Sequence, residues 1–234
     1  MPAPMRARKT LVLTRRLFER LRSRLRRNPD RFLRKVPGVI HVGANAGQEA
    51  EAYKALGLDV LWVEPIPEVF ARLESNIRPY PNQRALQALL TDQEGMTYSF
   101  HVSNNDGQSS SLFDLDLHRD IWPTVHFVRT IQLTSTTLPV LLSSNGIDAR
   151  SYPALVLDTQ GSELLILQGA EPILENFLFI KAEAADFPSY TGCCQLSDLS
   201  SYLARHGFRE LARSPFAEHP GGGRYYDVAF VRVS

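Results

Sequence analysis

Four polar residues stand at or just past the ends of apolar runs: Asn45 past Val39–Val42, Glu64 after Val60–Val63, Asp158 after Ala154–Leu157 and Glu183 after Phe177–Ala182. Carboxylates in such places accept hydrogen bonds from hydroxyl pairs or take up a proton. Glycines frame two of these positions. Gly43 and Gly47 enclose Ala44-Asn45-Ala46, and Gly161 follows Asp158. Without a Cβ, a glycine lets the backbone come close to a ligand. Strand, glycine turn, helix, strand and acid, in that order, is how an α/β domain holds an adenosine-containing cofactor. The helix after the turn directs free N–H groups at the ligand. Glu64 then stands where a carboxylate accepts hydrogen bonds from both ribose hydroxyls.

The glycine spacing separates two cofactor classes. A dinucleotide site shows G-x-G-x-x-G. Here the turn reads Gly43-Ala-Asn-Ala-Gly47, with no G-x-G pair. It lacks the crowded glycines that a pyrophosphate needs, which argues against an NAD-dependent oxidoreductase. An adenosine bearing a small zwitterionic tail fits better, namely S-adenosylmethionine.

The elements that must position these residues follow from periodicity and punctuation. Strands are expected at Val39–Val42, Val60–Val63, Arg84–Leu90, Met96–Val102, Phe127–Thr137, 154–157, Phe177–Ala182, Phe208–Ser214 and Asp227–Val233. Helices are expected near Gln48–Leu56, Pro67–Ile77, Leu138–Ser144, Glu163–Gly169 and Leu196–His206. Their alternation indicates a doubly wound, mostly parallel sheet of Rossmann-like type with seven strands. The last two strands have no helix between them, only the Pro/Gly-rich loop Pro215–Gly223, so they should form an antiparallel hairpin at one edge. Ligands of such sheets bind outside the carboxyl ends of the strands. Asn45, Glu64, Asp158 and Glu183 should gather there. Residues 103–124 are polar and aperiodic, with Ser109-Ser110-Ser111 at their centre. A loop of this length in a compact domain is functional or disordered, and its serines are candidates to close over a substrate.

Composition bounds the class. The chain has 234 residues, 44% hydrophobic and 22% charged, enough for one α/β domain with terminal extras. It has no apolar run long enough to span a membrane and no secretory pattern. Its two cysteines, Cys193 and Cys194, are neighbours and imply no disulfide framework. A cytoplasmic setting is expected. The net charge of +1 conceals an asymmetry: residues 1–36 hold 13 Lys or Arg and two acids, while the remainder is acidic. The chain therefore divides into a basic extension, 1–36, and a globular domain, 37–234, separated at Pro37-Gly38. Residues 10–27 read as an Arg-rich amphipathic helix with Leu11, Phe18, Leu21 and Leu25 on one side. Such a helix packs on the acidic domain, lies on an anionic membrane surface, contacts a polyanion or targets an organelle. No aromatic residues alternate with the basic ones, which argues against nucleic acid.

The runs V-I-H-V-G-A-N-A-G-Q and V-E-P-I-P-E-V-F-A-R-L-E-S-N, the S-S-S-L loop and V-L-D-T-Q-G-S-E-L-L-I-L-Q-G-A together resemble the FkbM family of S-adenosylmethionine-dependent methyltransferases. The resemblance covers residues 39 to about 185. It implies methyl transfer to a hydroxyl of a sugar, polyketide or related natural product. Cofactor contacts would then come from Gly43, Ala44, Asn45 and Gly47 at the methionine portion and Glu64 at the ribose. Pro65, Ala88 and Leu89 would serve the adenine. Asp158 would stand nearest the transferred methyl, as base or acceptor orienter, and Glu183 would pair with it. Two carboxylates without a histidine or further acid do not predict a metal. The chain departs from the family pattern twice: His41 replaces an acid in the first motif, and Gln160 replaces the middle glutamate of D-x-E-G-x-E. Those departures keep a second reading open, a non-catalytic methyltransferase-like module docking on a membrane or polyanion through its basic helix. His219, in the closing loop, is a minor candidate for acceptor contact.

Overall fold

The computed structural model describes residues 28–233. The amphipathic helix expected at 10–27 lies outside them. The main sheet has seven strands in the order β3-β2-β1-β7-β8-β10-β9. These are β1 (Gly38–Val42), β2 (Asp59–Glu64), β3 (Gln83–Gln87), β7 (Ala154–Leu157), β8 (Phe179–Ala185), β9 (Phe208–Glu218) and β10 (Arg224–Arg232). The first five run parallel, and β10 joins β8 and β9 antiparallel. The mostly parallel, doubly wound sheet with a closing hairpin is therefore present. A second sheet of three strands, in the order β4-β6-β5, comprises β4 (Leu89–Leu90), β5 (Thr97–Ser103) and β6 (Phe127–Thr136).

Both faces of the parallel sheet are covered, and the alternation along each strand shows how. Ile40, Val42, Leu61, Val63, Leu155 and Leu157 point into one core with the helices Leu138–Ser144, Glu163–Gly169 and Leu196–Arg205. Val39, Val60, Trp62, Ala154 and Val156 point into the other, against Tyr53, Leu73 and Ile77. The helix Pro67–Ile77 begins with a proline, whose missing N–H is one of the free donors anyway. A third cluster, Ile66, Val69, Leu89, Phe100 and Val102, fastens the small sheet to the large one.

Several boundaries differ from the sequence reading. The strand expected at Arg84–Leu90 is two strands: it leaves the large sheet after Gln87 and enters the small one at Leu89. Glu183 does not end its strand, because β8 continues to Ala185 against β10. The hairpin strands extend well into the expected loop Pro215–Gly223, leaving a tight turn near Gly222. The polar stretch 103–124 is ordered by its own hydroxyls. Ser103 Oγ accepts from Ser109 N, Ser110 Oγ accepts from Ser103 N, and Ser111 Oγ donates to the Gln160 carbonyl. All three serines of the triplet are buried, so they are built into the wall rather than free to fold over it. A 3₁₀ turn, Pro29–Lys35, precedes β1. Its Phe32 and Leu33 are buried, Phe32 stacks on Phe179 at 5.2 Å, and Asp30 pairs with Lys181 at 2.7 Å.

Candidate active site

The sheet order reverses between β1 and β7, and the turns after these two strands open a crevice there. They are locked together. Asp158 N donates to Val42 O at 3.0 Å, and Gly43 takes φ +78°. A Cβ on Gly43 would lie 1.8 Å from the Asp158 carbonyl oxygen, so only glycine fits. Asn45 also has positive φ, which its short polar side chain supports by accepting from Ala46 N at 2.7 Å.

The crevice is a cleft of about 380 Å³, large enough for a small ligand. Of the expected cofactor residues, Gly43, Ala44, Asn45, Glu64, Pro65, Ala88 and Leu89 line it, and so do both expected catalytic acids, Asp158 and Glu183. Gly47 does not; its Cα side packs toward Leu73, where a Cβ would come within 2.8 Å. Its role is to seat the turn against the helix Pro67–Ile77.

Glu64 is buried at the end of β2. Its Oε2 accepts from Asn45 N and its Oε1 from Ile66 N, each at 2.9 Å. Burial pushes its pKa up to about 7 in spite of these donors. Each carboxylate oxygen can accept another bond, so two hydroxyls of a ribose would complete the set and favour the anion. Backbone turn, carboxylate and cleft size together fit S-adenosylmethionine.

His41 is a core residue at the cleft floor. It stacks on Trp62 at 4.9 Å, and its Nδ1 shares a 3.0 Å hydrogen bond with Tyr53. Burial and the nearby Lys181 charge hold its pKa down at about 3, so it is neutral. It cannot replace the charge of the missing acid. Glu49, which also lines the cleft, can supply a carboxylate for a cofactor amino group. Sequence reading passed over Glu49 because it sits within the expected helix.

Gln160 departs from the family pattern, and the geometry gives it a use. Its Nε2 donates to Asp158 Oδ1 at 2.9 Å and to Glu183 Oε1 at 3.1 Å, and its Oε1 accepts from Tyr190 at 2.8 Å. Its backbone holds φ +55°. Glu163 fixes that turn by accepting from Thr159 N and Gly161 N, at 2.9 and 3.1 Å. Asp158 is exposed in the cleft, yet the protein packed around it raises its pKa by desolvation. Glu183 is driven well above the ordinary carboxylate range by burial first, then by the Asp158 and Glu163 charges. The pair titrates as a unit. Among the described residues, no group of three or more His, Cys, Asp or Glu is arranged to hold a metal.

The other singled-out residues lie elsewhere. His219 does not line the cleft; its Nε2 meets Asp120 Oδ2 at 2.9 Å, and its ring stacks on Phe187. Both cysteines are free, and burial pushes the Cys194 thiol up to about 12. Trp122, Phe216 and His118 also line the cleft, and the sequence did not mark them for it. A lone tryptophan within a polar loop was the one available signal. A second cavity of about 530 Å³ shares His41, Glu49, Asp158 and Glu183 with the first and continues to Asp30, Arg31 and Lys181.

Fold and cleft define a class I, Rossmann-like methyltransferase. The chain belongs to the FkbM methyltransferase family, described as the Methyltransferase FkbM domain, which it matches over residues 41–210. It is an enzyme of that kind, and its cofactor is S-adenosylmethionine. Among curated proteins it is similar to the 2-O-methyltransferase NoeI of Sinorhizobium fredii (strain NBRC 101917 / NGR234), at 27% identity over 187 residues, 76% of this chain and 75% of the relative. Among solved structures it resembles the METTL16 MTase domain with a TM-score of 0.50 at 12% identity, a likeness of fold alone. The match covers 85% of this chain and 61% of that one, less than two thirds of its length. It also resembles magnesium protoporphyrin IX methyltransferase (ChlM) from Synechocystis PCC 6803, with a TM-score of 0.46 at 12% identity, over 84% of this chain and 71% of that one.

Proposed function

We propose that the protein is an O-methyltransferase acting on a hydroxyl of a sugar, glycan or related natural product. The observation that carries this reading is the bridge from Gln160 to both Asp158 and Glu183 in the cleft that Gly43 and Glu64 also line. Similarity to NoeI, a 2-O-methyltransferase, supports an oxygen acceptor. S-adenosylmethionine, when bound, supplies a methyl group already activated by its sulfonium. The protein's part is to set the acceptor oxygen in line and to take its proton.

Asp158 accepts that proton as the acceptor oxygen gains the methyl carbon and the carbon–sulfur bond breaks. Gln160 donates to both acids, so it fixes their spacing and stabilises the charge that Asp158 carries. Burial and mutual repulsion disfavour a second negative charge on the Asp158–Glu183 pair. Glu49 and Asp158, both lining the cleft, would favour the cationic amino and sulfonium groups of the cofactor.

The test is transfer of labelled methyl from the cofactor to a fractionated cell extract and to defined glycans, followed by hydrolysis of the product. The expected product is an alkali-stable methyl ether on a carbohydrate carbon. Label recovered as a base-labile ester or as N-methyl would overturn the reading.

A further inference from the structure

The cofactor-binding turns and the two acids share the cleft with a patch of different composition. Trp122 and Phe216 line it, from separate parts of the chain: Trp122 closes the short helix His118–Ile121, and Phe216 stands on β9. Phe216 is 47% exposed, so the core gives it no seat. Both rings rest on the same buried tyrosine. Tyr225 lies 5.3 Å from Trp122 and 5.6 Å from Phe216 between ring centroids, and Trp122 is braced again by His118 at 4.5 Å. The result is a rigid aromatic wall with one ring open to solvent.

The polar groups beside that wall are neutral. Asn105, Gln108 and Ser109 line the same cleft, and Ser109 adjoins His118 beside Trp122. Ser109 Oγ is held by Asn105 Nδ2 at 3.0 Å and His118 Nε2 at 3.2 Å, and His118 Nδ1 meets the Tyr225 hydroxyl at 2.7 Å. Among the described residues no lysine or arginine lines the cleft. A phosphorylated or otherwise anionic acceptor would lack a counter-charge there, next to two acids. An unfunctionalised alkyl chain would cover the exposed Gln108 amide without giving it a partner. A ring with one face of C–H groups and a rim of hydroxyls satisfies both requirements, because C–H groups pack on an aromatic face while the rim reaches the polar side chains.

We propose that this aromatic patch of the cleft is the acceptor subsite and takes an uncharged pyranose, its apolar face on Trp122 and Phe216 and one hydroxyl directed at Asp158. The assignment deepens the sugar reading above and rests on it for the reaction, though binding is measured separately.

The chain has two tryptophans, and Trp62 is fully buried, so fluorescence changes on acceptor binding report Trp122. The probes are methyl glucopyranoside, galactopyranoside and rhamnopyranoside, with glucose 6-phosphate and sorbitol as contrasts, titrated into the full chain with S-adenosylhomocysteine. At least one neutral pyranoside should shift the emission, and Trp122→Phe should abolish that signal. Phe216→Ala, at an exposed position that spares the fold, should weaken pyranoside binding about fivefold or more, with S-adenosylhomocysteine affinity unchanged. Phe216→Trp should restore it. Equal binding of sorbitol or glucose 6-phosphate, no binding of any pyranoside, or an unchanged affinity in Phe216→Ala overturns the subsite. If labelled methyl still reaches sugars in that last case, the function survives without this subsite. If pyranosides bind at the wall but never receive label, the subsite stands and the proposed reaction falls.

Discussion

Glu64 is a buried acid held at a pKa of about 7, against 4.5 for an ordinary glutamate. The folded value is the higher one, so the group favours folding below pH 4.5 and loses that contribution as pH rises to about 7, roughly 3 kcal/mol in all. Ribose hydroxyls donate to the anion, so cofactor binding should release a proton near pH 6, and affinity should climb as pH rises through 7. Calorimetry in buffers of different ionisation enthalpy measures that release. Glu64→Gln should remove the pH dependence and weaken binding about 100-fold; a variant that binds normally would detach Glu64 from the ribose. Gln160 makes the second residue-scale prediction. Gln160→Glu replaces a shared donor by a third acid, so the acid limb of the kcat profile should move to higher pH and kcat at pH 7 should fall about tenfold or more. An unmoved profile would show that the carboxamide does not set the charge of the pair. At this scale Glu64, Asp158 and Glu183 were legible as cleft residues, because each follows an apolar run in the sequence. Gln160 was visible only as a missing acid. Its value depends on Tyr190 and Glu183, which are distant in sequence and adjacent only in the fold.

The elements place these side chains through backbone fit at the paired turns. Gly43→Ala would set a Cβ 1.8 Å from a carbonyl oxygen at a positive φ. It should cost about 3 kcal/mol, read as a lower urea midpoint at unchanged slope; loss below about 1 kcal/mol would mean the two turns separate freely. The helix Pro67–Ile77 was legible to the residue, since Pro67 marks its first turn and Val69, Leu73 and Ile77 mark its buried side. Strand ends were less so. Whether Leu89 continues β3 or turns into a second sheet is decided by pairing with Ser135, forty-six residues on, and no local pattern carries that. The hairpin loop was misjudged for a related reason. Pro215 and its polar neighbours suggest a loop, but β9 is an edge strand, where a proline is tolerated.

On the scale of the whole molecule, charge asymmetry and burial draw the division of the chain at different places. The basic stretch runs through Lys35, yet Phe32 and Leu33 belong to the core and Asp30 to an ion pair with Lys181. A chain lacking residues 1–27 keeps these contacts; one lacking 1–36 loses them. Chemical denaturation should show the longer deletion less stable than the shorter by roughly 4 kcal/mol, from two buried side chains. The shorter deletion also tests membrane contact. If residues 10–27 lie on an anionic surface, it should abolish sedimentation with phosphatidylserine liposomes, and retained binding would dismiss that role. The α/β class and the position of its crevice were legible from alternation alone. The small sheet was not, because nothing in its strands distinguishes them from strands of the large one.

One small contact has a thermodynamic corollary. The Asp106 carbonyl accepts from Asn45 Nδ2 and from Arg72 Nη2, each at 3.1 Å, so the turn that faces the cofactor is buttoned to the loop that carries Asn105, Gln108 and Ser109. A ligand that tightens one side of that button tightens the other. Linkage then requires reciprocity: whatever factor S-adenosylhomocysteine applies to acceptor affinity, the acceptor must apply to S-adenosylhomocysteine. Asn45→Ala should bring both factors toward one together, in paired titrations. The two halves of the cleft would then behave as independent sites that happen to share a wall.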